Sequence, residues 1–221
     1  MAAGVLLLGT MSLRSAPVTD VKPPTADEIA KAQKLVEGDE KLKAGGAIIQ
    51  PIEDGAVGKA LPEYVFIAAW FRQFPIARVL PEGFSSSNVF AVDRDGKMTL
   101  LKETKDLEKF FRSHLRATKD EDKLKDAARA WVRLAQQFHQ DGFFKFKLMD
   151  DSTKVGGEEG ARTASATVVV MQGGNGTLTG TLTFDADGKL KDATEDAKIR
   201  PGPRPICQAT KLLDADPIVR R

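Results

Sequence analysis

The stretch "TLTGTLTF" (177–184) constrains the fold more than any other part of the chain. Leu178, Gly180, Leu182 and Phe184 fall on one side of an extended strand, and Thr177, Thr179, Thr181 and Thr183 on the other. A slip of one residue would turn every threonine into the core, so the pairing register is firmly set. Turn signals flank the strand. "GGNG" (173–176) precedes it and "DADG" (185–188) follows it. Before the first turn lie "FFKFKL", which alternates Phe144, Phe146 and Leu148 with Lys145 and Lys147, and "TASATVVVMQ" after a Gly-rich loop at 156–160. After the second comes a weaker strand at "KLKDAT". The C-terminal half therefore reads as an antiparallel meander.

Helices precede it. Leu124, Ala128, Trp131, Ala135 and Phe138 recur at helical spacing, with Ala127 and Leu134 widening the stripe. A capping box of Thr118 and Glu121 opens this helix, which runs to about Gln140, with Gly142 placed to end it. A shorter helix, capped by Thr104, puts Leu107, Phe110, Phe111, His114 and Leu115 on one face. Upstream, "EYVFIAAWF" and "IARVL" read as extended, with Pro75 between them favouring a break. "NVFAVDRDGKMTLL" reads as a hairpin turning at Asp95-Gly96. All twelve phenylalanines lie between Phe66 and Phe184, and Tyr64 is the first aromatic residue. Aromatic side chains carry the largest burial per residue. The expected folded domain is therefore 61–197. Residues 17–60 read as a linker with one helix, opened by the Thr25–Glu28 capping box and fading near Gly38.

The expected class is α+β: an antiparallel sheet with amphipathic helices packed on one face. A long amphipathic helix, then consecutive antiparallel strands with "FDADGKL" between the last two, resembles cystatin-like and NTF2-like domains over residues 119–197. The resemblance is architectural and carries no catalytic motif. It implies a curved sheet with the helix across its concave face and a pocket between them, where Trp131, Phe138, Phe144 and Phe146 would line or fill the space. Such folds host unrelated activities.

The termini bear on location. An apolar stretch from Ala2 to Met11, followed by small residues at Ser15-Ala16 before Pro17, resembles a secretory signal over residues 1–16, although a basic N-terminal region is missing. Taken whole, the chain resembles exported bacterial proteins, so a periplasmic or extracellular location is expected. The last segment, 198–221, is Pro-rich and reads as a tail docking back on the domain. It holds the single cysteine, Cys207, so no internal disulfide framework exists.

Charge excludes little but is informative. With 33 basic and 31 acidic residues the net charge is +2, which leaves no electrostatic footprint for nucleic acid. No apolar run approaches the roughly 20 residues that span a bilayer. "DRDG" and "DADG" fail as calcium loops. Setting Gly96 or Gly188 at the sixth position puts Ala91 or Thr183 at the first, and Lys102 or Thr194 at the twelfth. "GGNG" joins two strands and does not lead into a helix, so it is no phosphate cradle. The threonine row, extended by Thr163, Ser165 and Thr167, is similar to water-ordering "TxT" faces, but threonine also favours a solvated strand face. His114 and His139 lack zinc-site spacing, and no cofactor or metal is expected.

Three functions remain open. The first is a non-catalytic module binding a small molecule or a protein. The second is a cysteine-dependent enzyme, for acyl transfer or thiol redox, with Cys207 as nucleophile and His139 or His114 as base. The third is a structural component of the envelope.

Overall fold

The computed structural model describes residues 21–72, 79–158 and 160–203. The N-terminal segment 1–16, Pro75 and residues 204–221 with Cys207 lie outside the described residues. In chain order the first elements are α1 (Ala26–Glu37), α2 (Glu40–Gly45), β1 (Ile48–Pro51), α3 (Gly55–Ala60), β2 (Tyr64–Trp70), β3 (Ser87–Asp93) and β4 (Met98–Leu101). Then follow α4 (Thr104–His114), α5 (Glu121–Ala135), β5 (Lys145–Leu148), β6 (Lys154–Gly156), β7 (Ala161–Gln172), β8 (Gly174–Asp185) and β9 (Leu190–Pro201).

The class is α+β with antiparallel pairing, as the strand patterns imply, but there are two sheets. One runs β1-β2-β3-β4, and the other β5-β7-β8-β9 with β6 also paired to β7. The first sheet is covered on both faces. Phe66, Val89 and Ala91 join the larger core with α4 and α5. Ile67, Ala69, Phe90 and Val92 join a second core with Ala32 and Val36 of α1 and Leu42 of α2. Burial on both faces explains why "YVFIAAW" and "NVFAV" are continuous apolar runs and do not alternate. Among the described residues the second sheet is covered on one face only, and its strands alternate accordingly: Ala164, Ala166, Val168, Leu178, Leu182 and Phe184 are buried against α5.

Helix α5 is the centre of the molecule. Eight of its fifteen residues are buried, including Ala130 and Val132 off the main stripe, because it packs on α3 as well as on β7 and β8. Its cap differs from the expected box. Asp120 is the N-cap and its carboxylate accepts from the N–H groups of Asp122 (2.9 Å) and Lys123 (3.1 Å), while the Thr118 hydroxyl accepts from Asp120 N–H. A carboxylate at the N-cap also meets the helix dipole favourably. The helix gives way to a 3-10 turn, Gln136–His139, before Gly142 turns the chain with φ +87°.

Residues 22–60 form more than a linker with one helix. The Thr25–Glu28 box caps α1 as expected, but α2, β1 and α3 follow it. Their anchors are single aliphatic residues, Leu42 and Val57, and β1 pairs with β2 through Ile48↔Trp70 to Pro51↔Ile67. The last strand is also longer than "KLKDAT": β9 pairs along the whole of β8 from Phe184 to Gly174. As an edge strand it carries Lys191, Asp192, Glu195, Asp196, Lys198 and Arg200, charges that discourage pairing with another chain.

Candidate cleft beside the helix–sheet core

Trp131 is fully buried. Its ring lies over Gly180, where a Cβ would overlap it, and stands edge-on to Phe111 with centroids 5.2 Å apart. The indole N–H donates to Thr194 O at 3.3 Å. The space between α5 and the second sheet is thus occupied by the tryptophan itself. Phe138 and Phe146 are partly buried against the same core. Phe144, 9 % exposed and also among the four expected pocket residues, lines an open cleft.

That cleft, about 350 Å³, opens where the packing between the first sheet and α5 runs out. Ala68 and Trp70 continue the Phe66 side of β2 beyond the core, while α5 ends and the chain departs towards β5. One wall is the strand end Gln50 to Glu53. The other carries Arg133, Gln137 and Gln140, and Gly142 and Phe144 form the rim.

The walls are fixed by local bonds. Asp54 caps α3, accepting from Ala56 N–H (2.9 Å) and Val57 N–H (3.4 Å), and its second oxygen accepts from Arg133 Nε at 2.9 Å. This partly buried pair ties α3 to α5. The Asp141 carboxylate accepts from the N–H groups of Phe143 (2.8 Å) and Phe144 (3.1 Å), which sets the rim. Glycine is needed behind it, because a Cβ at Gly174 would stand 2.7 Å from the Phe144 ring. The "GGNG" stretch therefore turns the chain and also lets the rim approach. Gln137 Nε2 donates to Arg133 O at 3.3 Å. Gln50 and Glu53 are exposed, and with Gln140 their side chains hold no hydrogen bond within the described residues. The Trp70 Nε1 donor is buried with no acceptor among the described residues, and lies 4.0 Å from where a Gly142 side chain would begin.

The two histidines occupy different neighbourhoods. His114 is exposed at the end of α4, its Nδ1 2.8 Å from the Tyr64 hydroxyl and its ring 4.4 Å from that of Phe110. Burial, then Glu63 and Asp93, hold the Tyr64 phenol above its ordinary pKa. His139 Nε2 stands 3.4 Å from Glu195 Oε1, an ion-pair distance without hydrogen-bond alignment. The same oxygen accepts from the Thr104 hydroxyl at 2.9 Å. Thr104 is therefore the first residue of α4 and not its cap; Glu103 takes that position without a side-chain bond. Burial pushes the Glu195 carboxyl up, but its contacts with His139 and Thr104 more than offset this and leave it below its ordinary value. Cys207, the expected nucleophile, lies outside the described residues. Thr163, Ser165 and Thr167 stand opposite Thr183, Thr181 and Thr179 on the outer face of the second sheet, where Thr167 and Thr179 share a hydroxyl bond of 2.9 Å.

A second cleft of about 440 Å³ shares the Pro51–Glu53 wall, and Pro23, Pro24, Ile29 and Val57 are among the residues that line it. Among the described residues no helix is long and apolar enough to cross a membrane, and no group of three or more His, Cys, Asp or Glu side chains is placed to hold a metal ion. No protein-family model, curated protein or solved structure matches the chain.

Proposed function

We propose that the protein is a non-catalytic binding module of the exported space, and that the cleft bounded by Gln50, Trp70, Arg133, Gln140 and Phe144 is its binding site. The observation that carries this reading is a concavity of ligand size whose walls are held by bonds at Asp54 and Asp141 while several lining polar groups stay free. Free donors and acceptors at a rigid opening favour recognition, because little order remains to be imposed when a ligand arrives. The apolar stretch at residues 2–11 and the small residues before Pro17 support export. Packing of α5 across β7 and β8 supports the cystatin-like or NTF2-like relationship for residues 119–197.

The test is a screen of small polar and apolar probe molecules against the isotopically labelled chain, read by amide chemical shifts. Probes should converge on Gln140, Gly142 and Phe144. Shifts confined to other regions, or none with any probe, would count against the cleft as the site.

A further inference from the structure

The chemistry of the cleft walls narrows what fits there. Its described lining contains three primary amides, Gln50, Gln137 and Gln140, each offering a donor and an acceptor side by side. Arg133 is the one cation among those lining residues, and it is already paired with Asp54. An anionic ligand would have to share the Arg133 charge with Asp54 and would also meet the exposed Glu53 carboxylate. A wholly apolar ligand would strip water from the amides without replacing their hydrogen bonds, which is unfavourable. Groups that donate and accept at once satisfy amides in either orientation, and hydroxyls are such groups.

Two further features point the same way. Trp70 and Phe144 add aromatic carbon to a polar cleft, and such apolar lining suits the C–H side of a polyhydroxylated ring. The Trp70 N–H, buried without an acceptor among the described residues, carries an unfavourable desolvation cost as it stands. It lies beside Gly142, an exposed residue of the rim. An acceptor that slips in at the rim recovers that cost. We infer that the cleft takes a neutral saccharide of about one or two sugar units, held by Gln50, Gln140 and Glu53 at its hydroxyls and by Trp70 and Phe144 at its apolar face. This rests on the cleft being the binding site.

The experiment titrates the labelled full chain with maltose, cellobiose and di-N-acetylchitobiose, and separately with decanoate and with trialanine. At least one saccharide should shift the Trp70 indole N–H, Gly142 and Phe144 resonances saturably, with a dissociation constant of roughly 1 mM or tighter. Gln50→Ala, at an exposed position, should weaken it about tenfold, which corresponds to one hydrogen bond of ordinary strength. Trp70→Phe should weaken it comparably while keeping a ring in place. Shifts at the same residues with decanoate or trialanine, but with no saccharide, would overturn the saccharide inference and leave the binding site standing. No shift with any of the five probes would overturn both. Equal saccharide affinity in wild type, Gln50→Ala and Trp70→Phe would also overturn it.

Discussion

Gly180 shows how one residue settles what the helix–sheet interface can hold. It breaks the run of larger side chains on the inner face of β8, and the Trp131 ring takes the space that a side chain would occupy. The atoms a Cβ would meet belong to a fully buried indole that is also hydrogen-bonded to Thr194 O, so the ring has nowhere cheap to move. Gly180→Ala should destabilise the fold by about 1–3 kcal/mol, the usual penalty for overpacking a close-packed core. Urea denaturation checks this, and an unchanged midpoint would show that the ring can relax. Glycine's ordinary disadvantage in a strand makes the prediction sharper, since β-propensity alone would have alanine stabilise.

At the scale of elements, Glu195 links β9 to the start of α4 through Thr104 and to the turn after α5 through His139. Its carboxyl titrates below the ordinary 4.5 because contacts in the fold favour the charged form over the effect of burial. A depressed carboxyl stabilises the fold above its ordinary pKa, and that contribution is lost as pH falls through the folded-state value. Glu195→Gln should therefore lower stability by on the order of 1 kcal/mol at neutral pH, and the difference should shrink as pH falls from the ordinary carboxylate range through the folded-state value. Thermal melts of the two chains across that range provide the check, and a difference that persists at low pH would mean that shape, not charge, holds the contact. The same region shows what could be read from sequence and what could not. The stripe of α5 and the alternation of β8 are local periodicities, so they were legible. The caps shifted because Thr104, Thr118 and Asp120 all offer suitable oxygens within a few residues, and tertiary partners choose among them; Glu195 draws the Thr104 hydroxyl away from the backbone. The cleft left no pattern at all. Gln50, Arg133 and Gly142 are distant in sequence, and an amide on an exposed surface looks the same whether or not it lines an opening. Of the residues the apolar pattern singled out as a pocket, Trp131 fills the core and Phe144 marks the cleft edge.

For the whole molecule, the decisive arrangement is one sheet shared by two cores. Alternate residues of β2 and β3 face α5 on one side and α1 with α2 on the other. Neither face can be stripped without exposing apolar strand surface, so the described residues up to Ala60 should be part of the folding unit. Aromatic content hides this, because what the segment before Tyr64 adds to the second face is aliphatic: Val36 and Leu42 are both fully buried. If residues 17–60 were only a linker, Leu42→Ala would leave global stability untouched. With Leu42 closing the second core, the substitution should cost about 2–5 kcal/mol, the same range expected for Leu134→Ala in the larger core. The two cores touch opposite faces of the same strands, so each substitution should shift one common transition. Hydrogen exchange of α5 amides reports the larger core and that of α1 amides reports the smaller. Equal destabilisation by both probes in both variants is the expected result. A loss seen in α1 alone for Leu42→Ala would mean that the helical layer opens independently, and the second core would then be a local cover and not part of the cooperative fold.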